Sequence, residues 1–156
     1  MDLDEELSFD VETPLRHEDD AEAVARGVCR LLGDMGYATL VEMPLGIGRR
    51  VDVIGLNRKG IFAVVEIKTS VADLRADRKW RDYLRFCDCL YFAVPNDFPQ
   101  ALLPEEAGVI VADRFGGAVL RRAPVQRMAP ATRRAQTLRF ARHAARRLCR
   151  VEDPPV

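Results

Sequence analysis

Arg49-Arg50-Val51-Asp52-Val53-Ile54-Gly55-Leu56-Asn57, then Arg58-Lys59-Gly60, then Ile61-Phe62-Ala63-Val64-Val65-Glu66-Ile67-Lys68-Thr69 is the stretch on which the fold turns. Its two apolar runs read as strands and the tripeptide between them as the loop of a hairpin. A type I turn followed by Gly60 in the left-handed region suits a three-residue connection and pairs Asn57 with Ile61. Counting back from that pair places Asp52 opposite Glu66 and Arg50 opposite Lys68. A two-residue loop would shift the register by one and put the two acids on opposite faces.

Directly opposed carboxylates have Cβ atoms about 4.5 to 5.5 Å apart and destabilise a sheet unless something stands between them. A hard divalent cation suits the gap, since Mg²⁺ takes one or two carboxylates, keeps several waters and draws its remaining contacts from substrate phosphate. The Ile67 carbonyl can add an oxygen. The competing reading has Asp52 and Glu66 ending strands at the surface, with Lys68 and Arg50 as ordinary ion-pair partners of small energetic weight. The strand composition favours the first reading. One face carries Val51, Val53, Ala63, Val65 and Ile67, and the other carries Ile54, Leu56, Phe62 and Val64 beside the charges. Both faces call for helical cover, and charges placed there call for a reason.

Asp52 followed by Glu66-Ile67-Lys68 is similar to the Asp...(Asp/Glu)-X-Lys signature of the PD-(D/E)XK nuclease superfamily. The longer string resembles the MmcB family of bacterial DNA repair proteins: Arg49 to Val53, Val65 to Ser70, Asp77-Arg78-Lys79-Trp80-Arg81-Asp82-Tyr83 and Cys89 to Pro95, within a match from about Ala21 to Arg150. Val51 stands where the superfamily signature has proline. The resemblance implies an α/β, restriction-endonuclease-like core of order αβββαβ, with a mixed central sheet flanked by helices and a C-terminal arginine-rich helix added. It implies a DNA nuclease dependent on Mg²⁺ or Mn²⁺, with Asp52 and Glu66 as metal ligands and Lys68 assisting phosphodiester hydrolysis. The alternative is a DNA-binding repair module with the same fold and little turnover. In many superfamily members an acid on the first helix joins the site, and here Glu22 is the candidate, with Glu18 behind it.

The formal net charge of zero conceals a strong polarity along the chain. Met1 to Glu22 holds ten acids and one base, whereas Arg114 to Arg150 holds eleven arginines and no acid. Such asymmetry points to nucleic acid, for which the paired donors of arginine are suited. The competing reading is a solvated basic face, or one paired with the acidic N-terminus. Candidate DNA contacts are Arg49 and Arg50 beside the acids, Arg75, Lys79 and Tyr83 on the second helix, and Arg139, Arg142 and Arg146 on the last. Lys79 and Tyr83, one turn apart, resemble a glutamine-to-tyrosine motif found at this helix in some superfamily nucleases.

Residues 1–16 read as a flexible acidic lead, 17–150 as one domain and 151–156 as a tail. Asp19 or Asp20 can start a first helix that Gly33 or Gly36 ends. Tyr37 to Met43 is a strand, and Ser70 can cap a second helix with Ala72, Ala76, Trp80, Tyr83 and Cys87 on one stripe. Cys89 to Val94, Ala107 to Val111 and Ala118 to Arg121 are further strands. Thr132 to Arg150 is a long helix packing through Ala131, Ala135, Leu138, Ala141, Ala145 and Leu148. Four cysteines with no CxxC and two histidines support neither a zinc cage nor a disulfide framework. Their reduced state, and the absence of any apolar run near the roughly 20 residues that cross a bilayer, predict a soluble cytoplasmic protein. Nicking both strands of a duplex would suit a homodimer.

Overall fold

A computed structural model describes residues 15–156, with side chains described from Asp20 onward. Most of the predicted acidic lead and the side chain of Glu18 lie outside the described residues. The elements are α1 (Leu15–Asp34), β1 (Tyr37–Pro44), β2 (Arg50–Asn57), β3 (Phe62–Ile67), α2 (Val71–Ala76), a 3₁₀ segment (Trp80–Phe86), β4 (Cys89–Val94), a 3₁₀ turn (Gln100–Leu102), β5 (Gly108–Asp113), β6 (Gly116–Arg121) and α3 (Pro130–Glu152). Six strands form one mixed sheet in sequence order. β1, β2 and β3 are an antiparallel meander, β3, β4 and β5 run parallel, and β6 returns antiparallel to β5.

The decisive hairpin forms as its turn residues dictate. Asn57 N–H donates to the Ile61 carbonyl at 3.1 Å, Gly60 N–H closes the turn onto the Asn57 carbonyl at 3.0 Å, and Gly60 takes φ +79°. The Asn57 side chain accepts from the N–H groups of Lys59 and Ile61, which fixes the turn in addition to the glycine. The ladder then pairs Leu56 with Phe62 and Val53 with Val65, the register of a three-residue loop.

Both sheet faces are covered. α1 lays Val24, Val28 and Leu32 against Val53, Ala63, Val65 and Ile67. The other face carries Ile54, Phe62 and Val64 against Trp80, Tyr83 and Phe86 of the 3₁₀ segment and Phe140 of α3. Phe62 meets Phe140 edge to face, as Trp80 meets Phe92. Val51 departs from the alternation expected of it and packs with Met43 and Leu45 in this second cluster. Val41 pairs with Val53 and Met43 with Val51, so Glu42 lies across from Asp52, and Glu42 has φ +50°. The two neighbouring strands therefore exchange faces at the same rung.

Three helix expectations change. Among the described residues α1 runs from Leu15, earlier than Asp19. The second helix is not continuous. Ser70 Oγ caps α2 by accepting from Asp73 N–H, but the Asp77 carboxylate accepts from the N–H groups of Lys79 and Trp80, and this local competition ends α2 and starts the 3₁₀ segment. Ala72 and Ala76 are consequently exposed. On α3 the alanine and leucine stripe faces solvent, with Leu138 60% and Leu148 58% exposed. Gln136 and Phe140 pack inward instead. Polar anchoring sets this rotation: Gln136 donates to the Phe86 carbonyl at 3.1 Å, and Arg133 grips the buried Asp88 at 2.5 and 2.9 Å.

Candidate metal and anion site

Where β2 separates from β3, the two acids replace the missing ladder. Asp52 N–H donates to Glu66 Oε1 at 3.2 Å, and Ile67 N–H donates to Asp52 Oδ2 at 2.7 Å. Each carboxylate thus uses one oxygen to satisfy the opposite strand, and its other oxygen accepts nothing from the described residues. Glu66 is buried and Asp52 half-buried. Burial, then the charge of Asp52, pushes the Glu66 carboxyl up to about 8. Burial also raises Asp52, against the opposing pull of the Ile67 N–H and Lys68. Two acids that resist ionising together are a pair whose charge a cation could relieve. Among the described residues no three His, Cys, Asp or Glu side chains stand together as a cage, so the donor set is the two-carboxylate kind that Mg²⁺ accepts, and the residues fit such an ion.

The pair opens onto a cavity of about 910 Å³ whose wall includes Ile67, Lys68 and, from α1, Ala21, Glu22 and Arg26. Glu22 lines this space without joining the acid pair. Glu42 lines it too, an acid that the sequence reading passed over; only its place opposite Asp52 could have signalled it. Lys68 and Arg50, expected side by side, part company. Lys68 Nζ, buried, binds Asp77 at 2.7 Å and approaches Asp73 at 3.8 Å. Arg50 is exposed and reaches Glu42 at 3.8 Å. The departure of β2 from β3 at Asp52 removes the rung that would have brought them together. Burial would raise the Asp77 carboxyl, but the Lys68 hydrogen bond and the N–H groups of Lys79 and Trp80 hold it below the ordinary range.

The remaining predicted contacts are scattered. Arg49 forms an ion pair with Asp82. Arg75 and Lys79 are exposed, and Tyr83 is buried, its hydroxyl raised by burial and then by the charges of Glu66 and Asp77. Lys79 is the residue that leads into the 3₁₀ segment carrying Tyr83, whose period of three does not stack positions four apart. Arg142 and Arg146 are exposed on α3, whereas Arg139 turns inward to donate to Gln136 Oε1 at 2.7 Å. Arg147 donates to the Glu42 carbonyl at 3.2 Å, tying α3 to β1 at the rung facing Asp52.

The family of DNA repair proteins described as MmcB-like matches residues 10–155, nearly the whole chain. The chain belongs to the MmcB-like family. A solved structure of a protein of unknown function from Silicibacter pomeroyi is 44% identical, with a TM-score of 0.83 over 86% of this chain and 92% of that one. No curated protein matches. Membership associates this MmcB-like chain with DNA repair, and none of its described helices is long and apolar enough to cross a membrane.

Proposed function

We propose that this MmcB-like protein is a deoxyribonuclease of DNA repair, dependent on Mg²⁺ or Mn²⁺, built on a restriction-endonuclease-like core. The observation that carries the reading is the pair Asp52 and Glu66, each bonded to the other's strand through one oxygen and leaving the second open to the cavity. These two carboxylates, with the Ile67 carbonyl, would hold the ion. When bound, such an ion lowers the pKa of water and offsets charge on a phosphoryl group. Lys68 supplies a compact positive donor beside the acids, and Asp77 positions it through the 2.7 Å contact to Nζ. Arg50, Arg142 and Arg146, all exposed, supply sequence-independent phosphate contacts.

The test is cleavage of duplex, branched and single-stranded DNA with Mg²⁺ or Mn²⁺ by the protein, Asp52→Asn and Lys68→Ala. The expected outcome is metal-dependent cleavage that both substitutions reduce at least a hundredfold. Unchanged activity in both variants would refute the assignment. A second reading, a DNA-binding repair module with little turnover, is favoured by one feature: Lys68 Nζ is already engaged by Asp77 at 2.7 Å. That reading predicts salt-dependent DNA binding with no metal-dependent cleavage, and loss of binding in Arg142→Ala/Arg146→Ala.

A further inference from the structure

On the sheet face opposite α1 lies a second cavity, of about 680 Å³, bounded by the 3₁₀ segment, the turn before β2, the segment before α3 and the first turn of α3. Four arginines line it, Arg49, Arg81, Arg85 and Arg127, against one carboxylate, Asp82. Two of them are held in place by aromatic rings: the Arg81 guanidinium lies 4.4 Å above Trp80, and that of Arg85 lies 4.8 Å above Phe86. Stacking of this kind orients the planar fork before any ligand arrives and reduces the ordering cost of binding. Arg81 also makes a paired contact with Glu106, and Arg49 pairs with Asp82. Arg85 and Arg127 form no ion pair among the described residues. α3 begins here at Pro130 without a side-chain cap, which adds positive potential to the same space.

We propose that this arginine-lined cavity binds a phosphate group of a nucleic-acid strand and is an anchoring site separate from the acid pair. The inference rests on the DNA-acting reading above and extends it. Arg49 connects the two places, since it lines this cavity and lies three residues from Asp52, ~10 Å along an extended chain. A strand whose backbone reached the acids could therefore also be gripped around the edge of the sheet. The structure assigns Arg85 and Arg127 the anchoring contacts, because among the described residues their charges have no acid to satisfy them.

The experiment compares the full chain with the double variant Arg85→Ala/Arg127→Ala. Both residues are exposed, and thermal melting checks that the variant folds. Binding of labelled duplex and single-stranded oligonucleotides is measured by fluorescence anisotropy across a salt series, and binding of inorganic phosphate and a deoxynucleoside monophosphate by calorimetry. The expected result is a loss of oligonucleotide affinity of about tenfold or more, with the slope of log K against log salt shallower by about two contacts' worth. Oligonucleotide affinity and salt slope equal to those of the unaltered protein would overturn the proposal while leaving the metal site intact. Loss of phosphate or mononucleotide binding with unchanged oligonucleotide binding would assign the cavity to a small phosphorylated ligand and overturn it as well. Failure of the unaltered protein to bind any oligonucleotide at low salt would overturn both this proposal and the DNA-acting reading.

Discussion

Removing the charge of Glu66 should make the metal-free protein more stable, not less. Its carboxyl is raised from an ordinary 4.5 to about 8, so the folded state holds a proton that the unfolded chain releases. The associated stability is present below pH 4.5, declines as pH rises, and is lost once pH passes 8. At about 1.4 kcal/mol per pH unit, the difference between the two states costs the fold about 3 kcal/mol at pH 7, where it must retain the proton, and about 5 above pH 8, where it must bury the charge. Glu66→Gln removes that dependence but buries an amide N–H₂ without an assured acceptor, at about 1 to 2 kcal/mol. The net gain at pH 7 is then about 1 to 2 kcal/mol, or ~3–6 °C in melting temperature for a chain of this length. Circular dichroism melts in chelator from pH 5 to 9 are the assay, with the difference between variant and parent small at pH 5 and widening to pH 8. Adding Mg²⁺ to ten times its dissociation constant should raise the parent by about 1.4 kcal/mol and the variant by much less. A variant that melts below the parent at pH 8 in chelator, or a gap constant across pH, would refute the reasoning.

The other predictions concern the scaffold. Asp88 accepts from the N–H groups of Phe62 and Met128 and from both terminal nitrogens of Arg133, so Arg133→Ala should leave a buried uncompensated charge and cost ~3–5 kcal/mol by denaturant unfolding. Burial would raise the Asp88 carboxyl, but the Arg133 hydrogen bonds hold it below the ordinary range. Its stabilising share is therefore present above pH 4 and lost as pH falls through the depressed value, and the acid limb of the stability profile should flatten in the Arg133 variant. Gly27 on α1 lies against the β5–β6 turn, where a Cβ would overlap the Asp113 carbonyl. Gly27→Ala should destabilise by more than ~2 kcal/mol in the same assay, and a neutral result would show that α1 can lift from the sheet.

The hairpin was legible because its information is local. Asn57, Gly60 and two apolar runs of matching parity determine one another, and the acids follow by counting. α3 was not legible in the same way. Its alanines and leucines suggested a packing stripe, yet the inward face was decided by Asp88, a single buried acid at the start of β4 that requires Arg133, and by a free carbonyl at Phe86 that Gln136 satisfies. Those partners are 45 and 50 residues away, beyond the reach of any periodicity. Val51 and Arg50 were misplaced for a related reason, since regular alternation was extended through a rung at which Glu42 leaves the usual backbone region.

The departures from regularity are where the candidate chemistry resides. A straight β2 would point Asp52 toward the aromatic cluster with Ile54 and leave its backbone paired with β3. With the strands exchanging faces at Asp52 and Glu42, the Asp52 and Glu66 carboxylates each keep one oxygen free beside the cavity next to α1. A continuous second helix would likewise have no reason to place an acid under Lys68. The break at Asp77 lets one carboxylate end α2, start the 3₁₀ segment and hold Nζ at 2.7 Å. That last contact makes the position of the ammonium depend on a helix terminus and not on the strand that carries it. Asp77 therefore belongs with Asp52, Glu66 and Lys68 as a fourth member of the candidate constellation, one that positions Lys68.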